Sequence, residues 1–228
     1  MKKLACTFFS AVLVAFIIGC TSENKTAQEN TVNAPQEDST NTSTREVKNI
    51  LFFGNSLTAG YGLELSQAFP ALIQEKIDSL RLPYKVINAG LSGETTESGN
   101  TRIDWMLNQK IDILVLELGG NDGLRGISPD LTKKNLQSII DKTRNKYPNV
   151  KIILAGMEAP PNMGEKFTSD FRKLYKELAQ VNQVAFIPFL LEGVGGNTKL
   201  NLPDGIHPTP EGHKIVAETV WKVLKDVL

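Results

Sequence analysis

Cysteine is nearly absent from this chain of 228 residues. Cys6 and Cys20 are its only two cysteines. None therefore remains beyond Thr21 for a disulfide, a thiol nucleophile or a cysteine-ligated metal. Histidine is equally scarce, with His207 and His213 alone. Two histidines without clustered carboxylates argue against a catalytic zinc site. An excess of charge of one sign is also missing, because 25 Lys and Arg balance 25 Asp and Glu. No basic run or aromatic–basic interleaving occurs, so nucleic acid is not an expected partner.

What is present begins with an N-terminal leader. Lys2 and Lys3 precede the apolar stretch Leu4–Ile18, the pattern of a secretory signal. It ends in Ile17-Ile18-Gly19-Cys20 and turns abruptly polar. That ending resembles a bacterial lipobox, whose cysteine is lipidated and becomes the first residue of the mature protein. The expectation is a signal peptide over 1–19, lipid on Cys20 and an exported, membrane-anchored chain facing the periplasm or the cell exterior. An ordinary signal peptide or an uncleaved anchor is the alternative. Residues 21–46 are rich in Thr, Asn, Ser, Glu and Gln without an aromatic residue, and read as a disordered tether. A flexible linker of that length spans roughly 25–30 Å.

From Val47 apolar runs alternate with helical patterns. Val47–Phe53, Tyr84–Ala89, Ile111–Leu118, Val150–Gly156 and Val184–Pro188 read as strands. They are mostly apolar on both faces, which suits a sheet covered on both sides. Ser66–Leu80, Thr95–Gln109, Pro129–Lys146, Lys166–Val181 and Thr209–Leu228 read as helices. Ser128-Pro129 and Thr209-Pro210 each supply an N-cap followed by proline at the first helical position. This alternation predicts right-handed βαβ units and a parallel α/β sheet in one domain over 47–228. Ser56, Gly90, Asn121, Glu158 and the segment Phe189–His207 then meet at one sheet edge, where ligands of open α/β sheets bind.

Acyl transfer by serine needs a base, a group that orients the base, and donors for the oxyanion. Ser56 follows the first strand in Gly54-Asn55-Ser56-Leu57-Thr58-Ala59-Gly60 and is the candidate nucleophile. Asp204-Gly205-Ile206-His207-Pro208 supplies His207 as base and Asp204 to hold its imidazole. Gly90 could offer a backbone N–H, Asn121 its side-chain amide, and Ser56 a third donor from its own N–H. Thr58 stands where an α/β-hydrolase elbow, Gly-x-Ser-x-Gly, requires its last glycine, so that fold is a poor fit.

Ser56, Gly90, Asn121 and His207, in this order, resemble the four invariant positions of the SGNH (GDSL-type) hydrolase family. The likeness extends from about Ile50 to Pro208. Gly119–Gly126 and Asp204–Pro208 look most like the bacterial thioesterase I/lysophospholipase L1/arylesterase branch. The resemblance implies a three-layer α/β/α flavodoxin-like fold with five parallel strands. It further implies an esterase or thioesterase that works through an acyl-enzyme, with no cofactor and no metal. One departure stands out: Asn55 occupies the place of the family's usual Asp before the serine.

Leu124, Ile127, Phe189 and Leu190 are candidates to line an acyl groove, and Gly123–Gly126 to move over substrate. Glu117, inside an apolar strand, is expected to bond to backbone, and His213 to pack. The expected substrates are small or lipid esters, and the expected state is a monomer. Two other readings stay open. One is a carbohydrate O-deacetylase; the other is a module that binds acyl or glycan ligands without catalysis.

Overall fold

The computed structural model describes residues 46–228. The expected signal peptide, Cys20 and nearly all of the tether lie outside the described residues.

Five strands form one parallel sheet. In chain order they are β1 (Lys48–Gly54), β2 (Tyr84–Gly90), β3 (Ile113–Glu117), β4 (Lys151–Ala155) and β5 (Ala185–Ile187). Their spatial order is β2-β1-β3-β4-β5, every pair parallel. Among the described residues seven α-helices accompany them: α1 (Ser56–Ala59), α2 (Phe69–Ser79), α3 (Thr96–Met106), α4 (Gly120–Leu124), α5 (Pro129–Lys146), α6 (Glu165–Asn182) and α7 (Pro210–Leu224). Right-handed crossovers put α2 on one face of the sheet and α3, α5 and α6 on the other. Accordingly α3 packs on α5 and α5 on α6, while α7 packs beside α2. The outcome is the expected three-layer α/β/α arrangement.

The five expected strands all form, with ends displaced by a few residues. The long helix expected over Ser66–Leu80 is divided. A short 3-10 turn (Leu65–Gln67) gives way to α2 through Ala68, which is extended at φ −68° and ψ 142°. Pro70 then sits in the first turn of α2, where its missing N–H costs no helical bond.

The two central strands carry the core. Ile50, Leu51, Phe52 and Phe53 of β1 and Ile113–Leu116 of β3 are buried, as their lack of in/out alternation requires. Register fixes what happens at the C-terminal edge. Gly54 pairs with Gly90 on one side and with Glu117 on the other. The chain leaves β1 toward β2 but leaves β3 toward β4, so the topological switch lies between β1 and β3. The loops after those two strands carry Ser56 and Asn121.

Candidate active site

The turn after β1 presents Ser56 at the first position of α1. Asn55 caps that short helix, its Oδ1 accepting the Leu57 N–H at 2.9 Å. Gly60 ends the helix in the left-handed region at φ 74°, so the chain reverses within one turn. Ser56 is nearly buried, yet its hydroxyl lies 2.9 Å from His207 Nε2.

His207 arrives from the far end of the chain on a pinched loop. An antiparallel bridge between Asn201 and Pro208 closes the loop, and Leu202 N–H donates to the His207 carbonyl at 2.7 Å. Inside it, Asp204 Oδ1 accepts the N–H groups of Ile206 and His207 at 2.9 and 3.0 Å. Asp204 Oδ2 lies 2.7 Å from His207 Nδ1. The His207 N–H, opposed by some desolvation, holds the Asp204 carboxyl down to about 2, with the imidazole contact and the Ile206 N–H adding to the effect. An ionised carboxylate only accepts, so the hydrogen belongs on Nδ1 and the Nε2 lone pair faces Ser56 Oγ. Tyr61, half-exposed, stacks obliquely on the His207 ring with centroids 4.4 Å apart. Sequence reasoning gave Tyr61 no role, and only its place one residue after Gly60 could have suggested one.

Asn121 lies on α4, a helix too short for the sequence pattern to reveal. Its Nδ2 donates one hydrogen to the Glu94 carbonyl at 3.0 Å, which leaves the other to be directed by that anchor. Ser56 N–H, at the first position of α1, has no intrahelical acceptor.

Gly90 departs from the expectation. Its N–H donates to Asn88 Oδ1 at 2.9 Å and is therefore engaged. A Cβ at residue 90 would collide with the backbone of Thr58 and Ala59, so close packing of the serine turn on β2 explains the glycine. Gly93 has the property sought at Gly90. It occupies the third position of the turn Leu91–Glu94, closed by Glu94 N–H to Leu91 O at 3.2 Å, with φ +81°. Its N–H meets no acceptor among the described residues. Two glycines three residues apart competed for the part, and the sequence did not say which strand-end amide was free.

The loop bearing Gly93 is braced on both sides. Arg102 of α3 donates Nε to the buried Glu94 carboxylate at 2.6 Å and Nη2 to the Ala89 carbonyl at 2.9 Å. Arg125 Nη2 donates to the Gly93 carbonyl at 3.1 Å. The buried Asp122 accepts Thr96 N–H at 2.9 Å and the hydroxyls of Thr96 and Thr132, and so ties α4 to α3 and α5.

The four apolar groove candidates separate. Leu124 is 45% exposed and Ile127 half-buried on the α4–α5 connection. Phe189 is half-buried against Gly195. Leu190 is wholly buried in the core cluster. Its N–H donates to Gly156 O at 2.9 Å and its side chain is enclosed by the core, so Leu190 cannot line a groove. A cavity of about 760 Å³ between α5 and α6 is lined by Lys133, Asp170, Lys173 and neighbours, and not by Ser56, Asp204 or His207.

Glu117 and His213 are both buried. Burial raises the Glu117 carboxyl to about 7, against the pull of bonds from Thr58 and Asn55. Burial lowers His213 to about 4, with the His207 charge adding to the effect. The neutral His213 Nδ1 accepts Phe69 N–H at 3.1 Å, capping α2 from a different helix.

Residues 52–215 match the GDSL-like Lipase/Acylhydrolase family. "Esterase TesA" of Pseudomonas aeruginosa is 38% identical over 180 residues, which cover 78% of this chain and 89% of the relative. "Thioesterase 1/protease 1/lysophospholipase L1" of Escherichia coli K12 is 35% identical over 180 residues, covering 78% and 84%. A crystal structure of TesA superposes with a TM-score of 0.76 at 38% identity, over 79% of this chain and 100% of that one.

Proposed function

Because the chain belongs to the GDSL-like lipase/acylhydrolase family and is accordingly an ester hydrolase, we propose that it works as a serine esterase through Ser56, His207 and Asp204. The carrying observation is the unbroken chain Ser56 Oγ, His207 Nε2, His207 Nδ1, Asp204 Oδ2, with links of 2.9 and 2.7 Å. Ser56 Oγ attacks the ester or thioester carbonyl as its proton passes to His207 Nε2. Asp204 keeps the hydrogen on Nδ1 and stabilises the imidazolium. Ser56 N–H, Gly93 N–H and Asn121 Nδ2 receive the oxyanion. The intermediate collapses, the C–O or C–S bond to the leaving group breaks, and His207 returns the proton to that group. Water, deprotonated by His207, then attacks the acyl-Ser56, and collapse of the second intermediate releases the acid and restores the Ser56 hydroxyl.

The proposed substrates are small to medium acyl esters, thioesters or lysophospholipids. The relatives' names, esterase and thioesterase/lysophospholipase, support that range. The proposed setting is the outer side of a bacterial membrane, with Cys20 lipidated and the chain monomeric.

Hydrolysis of p-nitrophenyl acetate, butyrate, octanoate and palmitate by the purified full chain in detergent tests this, with Ser56→Ala as control. Ser56-dependent turnover that peaks at butyrate or longer is expected. A sharp preference for acetate would favour O-deacetylation, and turnover independent of Ser56 would end the serine mechanism.

A further inference from the structure

Glu117 is a fully buried acid that the proposed chemistry does not use. No Lys, Arg or His among the described residues lies within ion-pair distance of it. Its neighbours are donors instead. Asn55 Nδ2 donates to Oε1 at 2.7 Å, while Asn55 N–H and Thr58 Oγ1 donate to Oε2 at 3.1 and 2.8 Å. The space for this carboxylate exists because residue 54 is glycine. A Cβ there would run into Thr58 Oγ1, Glu117 Oε2 and the Glu117 carbonyl. A buried carboxyl group without a cation is costly, but donors face both of its oxygens, and an amide offers only one acceptor.

The other side of Asn55 faces the nucleophile. Asn55 Oδ1 accepts Leu57 N–H at 2.9 Å and lies 3.4 Å from Ser56 Oγ. That second distance is long for O–H···O, where 2.5–3.0 Å is usual. His207 Nε2, at 2.9 Å, is therefore the better acceptor for the hydroxyl hydrogen. The preference depends on Asn55 staying where Glu117 holds it. Asn55 drawn a few tenths of an ångström toward Ser56 would compete with His207 for that hydrogen.

We propose that Glu117 is a positioning residue for the nucleophile: its carboxylate grips Asn55 and Thr58 and so keeps the Ser56 hydroxyl directed at His207 rather than at Asn55. The proposal rests on the serine-esterase reading above and deepens it. Glu117 acts through Asn55 and touches no reacting atom, so it should govern kcat and leave KM nearly alone.

The donor pattern supplies a specific test in the full chain. Glu117→Gln keeps the volume, but its amide must face a donor. With the amide oxygen toward Thr58 and the Asn55 N–H, the new NH2 confronts Asn55 Nδ2. Asn55 cannot flip, because its own NH2 would then confront Leu57 N–H. In the double variant N55D/E117Q, the carboxylate introduced at position 55 accepts from the amide introduced at position 117. It still caps Leu57 N–H, and the complementarity is restored.

Steady-state kinetics on p-nitrophenyl butyrate would be measured for wild type, E117Q, N55D/E117Q and Ser56→Ala, with thermal midpoints to confirm folding. The expected result for E117Q is kcat reduced roughly tenfold to a hundredfold, with KM within about twofold. In N55D/E117Q, kcat should recover to within about threefold of wild type. Glu117→Asp, which keeps the charge but withdraws it by one methylene, gives a second reading should E117Q not fold, and a comparable fall in kcat is expected. Wild-type kcat in folded E117Q or E117D, with Ser56→Ala inactive, would overturn the positioning role alone. A double variant as slow as E117Q would do the same. Near-wild-type turnover by Ser56→Ala would instead remove the reading beneath it, and this inference with it.

Discussion

Asp204 combines two tasks in one side chain. One oxygen accepts two backbone N–H groups and shapes the turn, while the other meets His207 Nδ1. Asp204→Asn can preserve the turn with its carbonyl oxygen, but it sets an amide against Nδ1. The opposite tautomer then forms and a hydrogen on Nε2 faces Ser56. Steady-state assays should show kcat lowered by roughly 10³–10⁴-fold with the fold intact. Gly90 and Gly93 should part in the same kind of experiment. At Gly93 a Cβ meets only Arg125 Nη2, at 3.9 Å, so space is no obstacle. Its φ of +81° is the obstacle, because an L side chain is strained there. Gly93→Ala keeps the backbone N–H, but relief of the strained φ turns it away from the oxyanion, so the variant should fold and lose turnover by up to roughly 10²–10³-fold. Gly90→Ala should fail by destabilisation, by about 1–3 kcal/mol or more from overpacking against Ala59. Denaturant titrations beside the kinetics separate the two. Equal turnover in Gly93→Ala and wild type would return the oxyanion assignment to the beginning.

At the scale of elements, the short α1 and α4 hold functional groups because longer elements hold them. Helix α3 reaches back through Arg102 to Glu94, and the Glu94 carbonyl sets Asn121. Arg102 also lies over the Phe53 ring at 4.2 Å, so its charge is shared between a buried carboxylate and an aromatic face of β1. Arg102→Met would leave Glu94 buried and unpaired. Urea unfolding should report a loss of about 3–5 kcal/mol, and the folded fraction should turn over more slowly because Asn121 loses its anchor. A stability loss below about 1 kcal/mol would mean that solvent reaches Glu94 easily. The same reasoning accounts for His213, whose neutral ring on α7 serves the N-terminus of α2. Its place on the final helix made packing the expected part, but the partner 144 residues away could not be read from that helix.

For the whole molecule, two buried groups set opposing pH dependences. His213 titrates near 4 in the fold and near 6.5 unfolded. Between those values the unfolded chain binds the extra proton, so stability rises with pH and is fully present above 6.5. Glu117 titrates near 7 in the fold and near 4.5 unfolded. There the native state binds the extra proton, so stability is fully present below 4.5 and declines as pH rises through 7. Each contributes up to about 3 kcal/mol across its window. Thermal midpoints of wild type should therefore change little between about pH 4.5 and 6.5. His213→Gln should expose a fall with rising pH, and Glu117→Gln a rise. Parallel profiles for all three proteins would refute the opposition. Anchoring is tested at this scale too. The intact mass of membrane-extracted protein should equal that of residues 20–228 plus acyl chains, and the mass of an unmodified chain would argue against the lipid.

The layers were already legible in the order of the residues. Five apolar runs without alternation, separated by amphipathic stretches and N-cap–proline pairs, leave a parallel sheet with helices on both faces as the way to bury both sides of each strand. Ser56 and Asn121 could be read as candidates because each stands in a short pattern just after a strand, and Asp204 and His207 because they share one short pattern ahead of the last helix. Which polar groups remained free was settled by packing in three dimensions. The engagement of Gly90 N–H by Asn88, the freedom of Gly93 N–H, the burial of Leu190 and the stacking of Tyr61 on His207 depend on neighbours from other strands and loops. Glu117 is the clearest instance. Its neighbours in sequence are apolar, and only the pairing of β3 with β1, across the space left by Gly54, brings its carboxylate under the turn that carries Ser56.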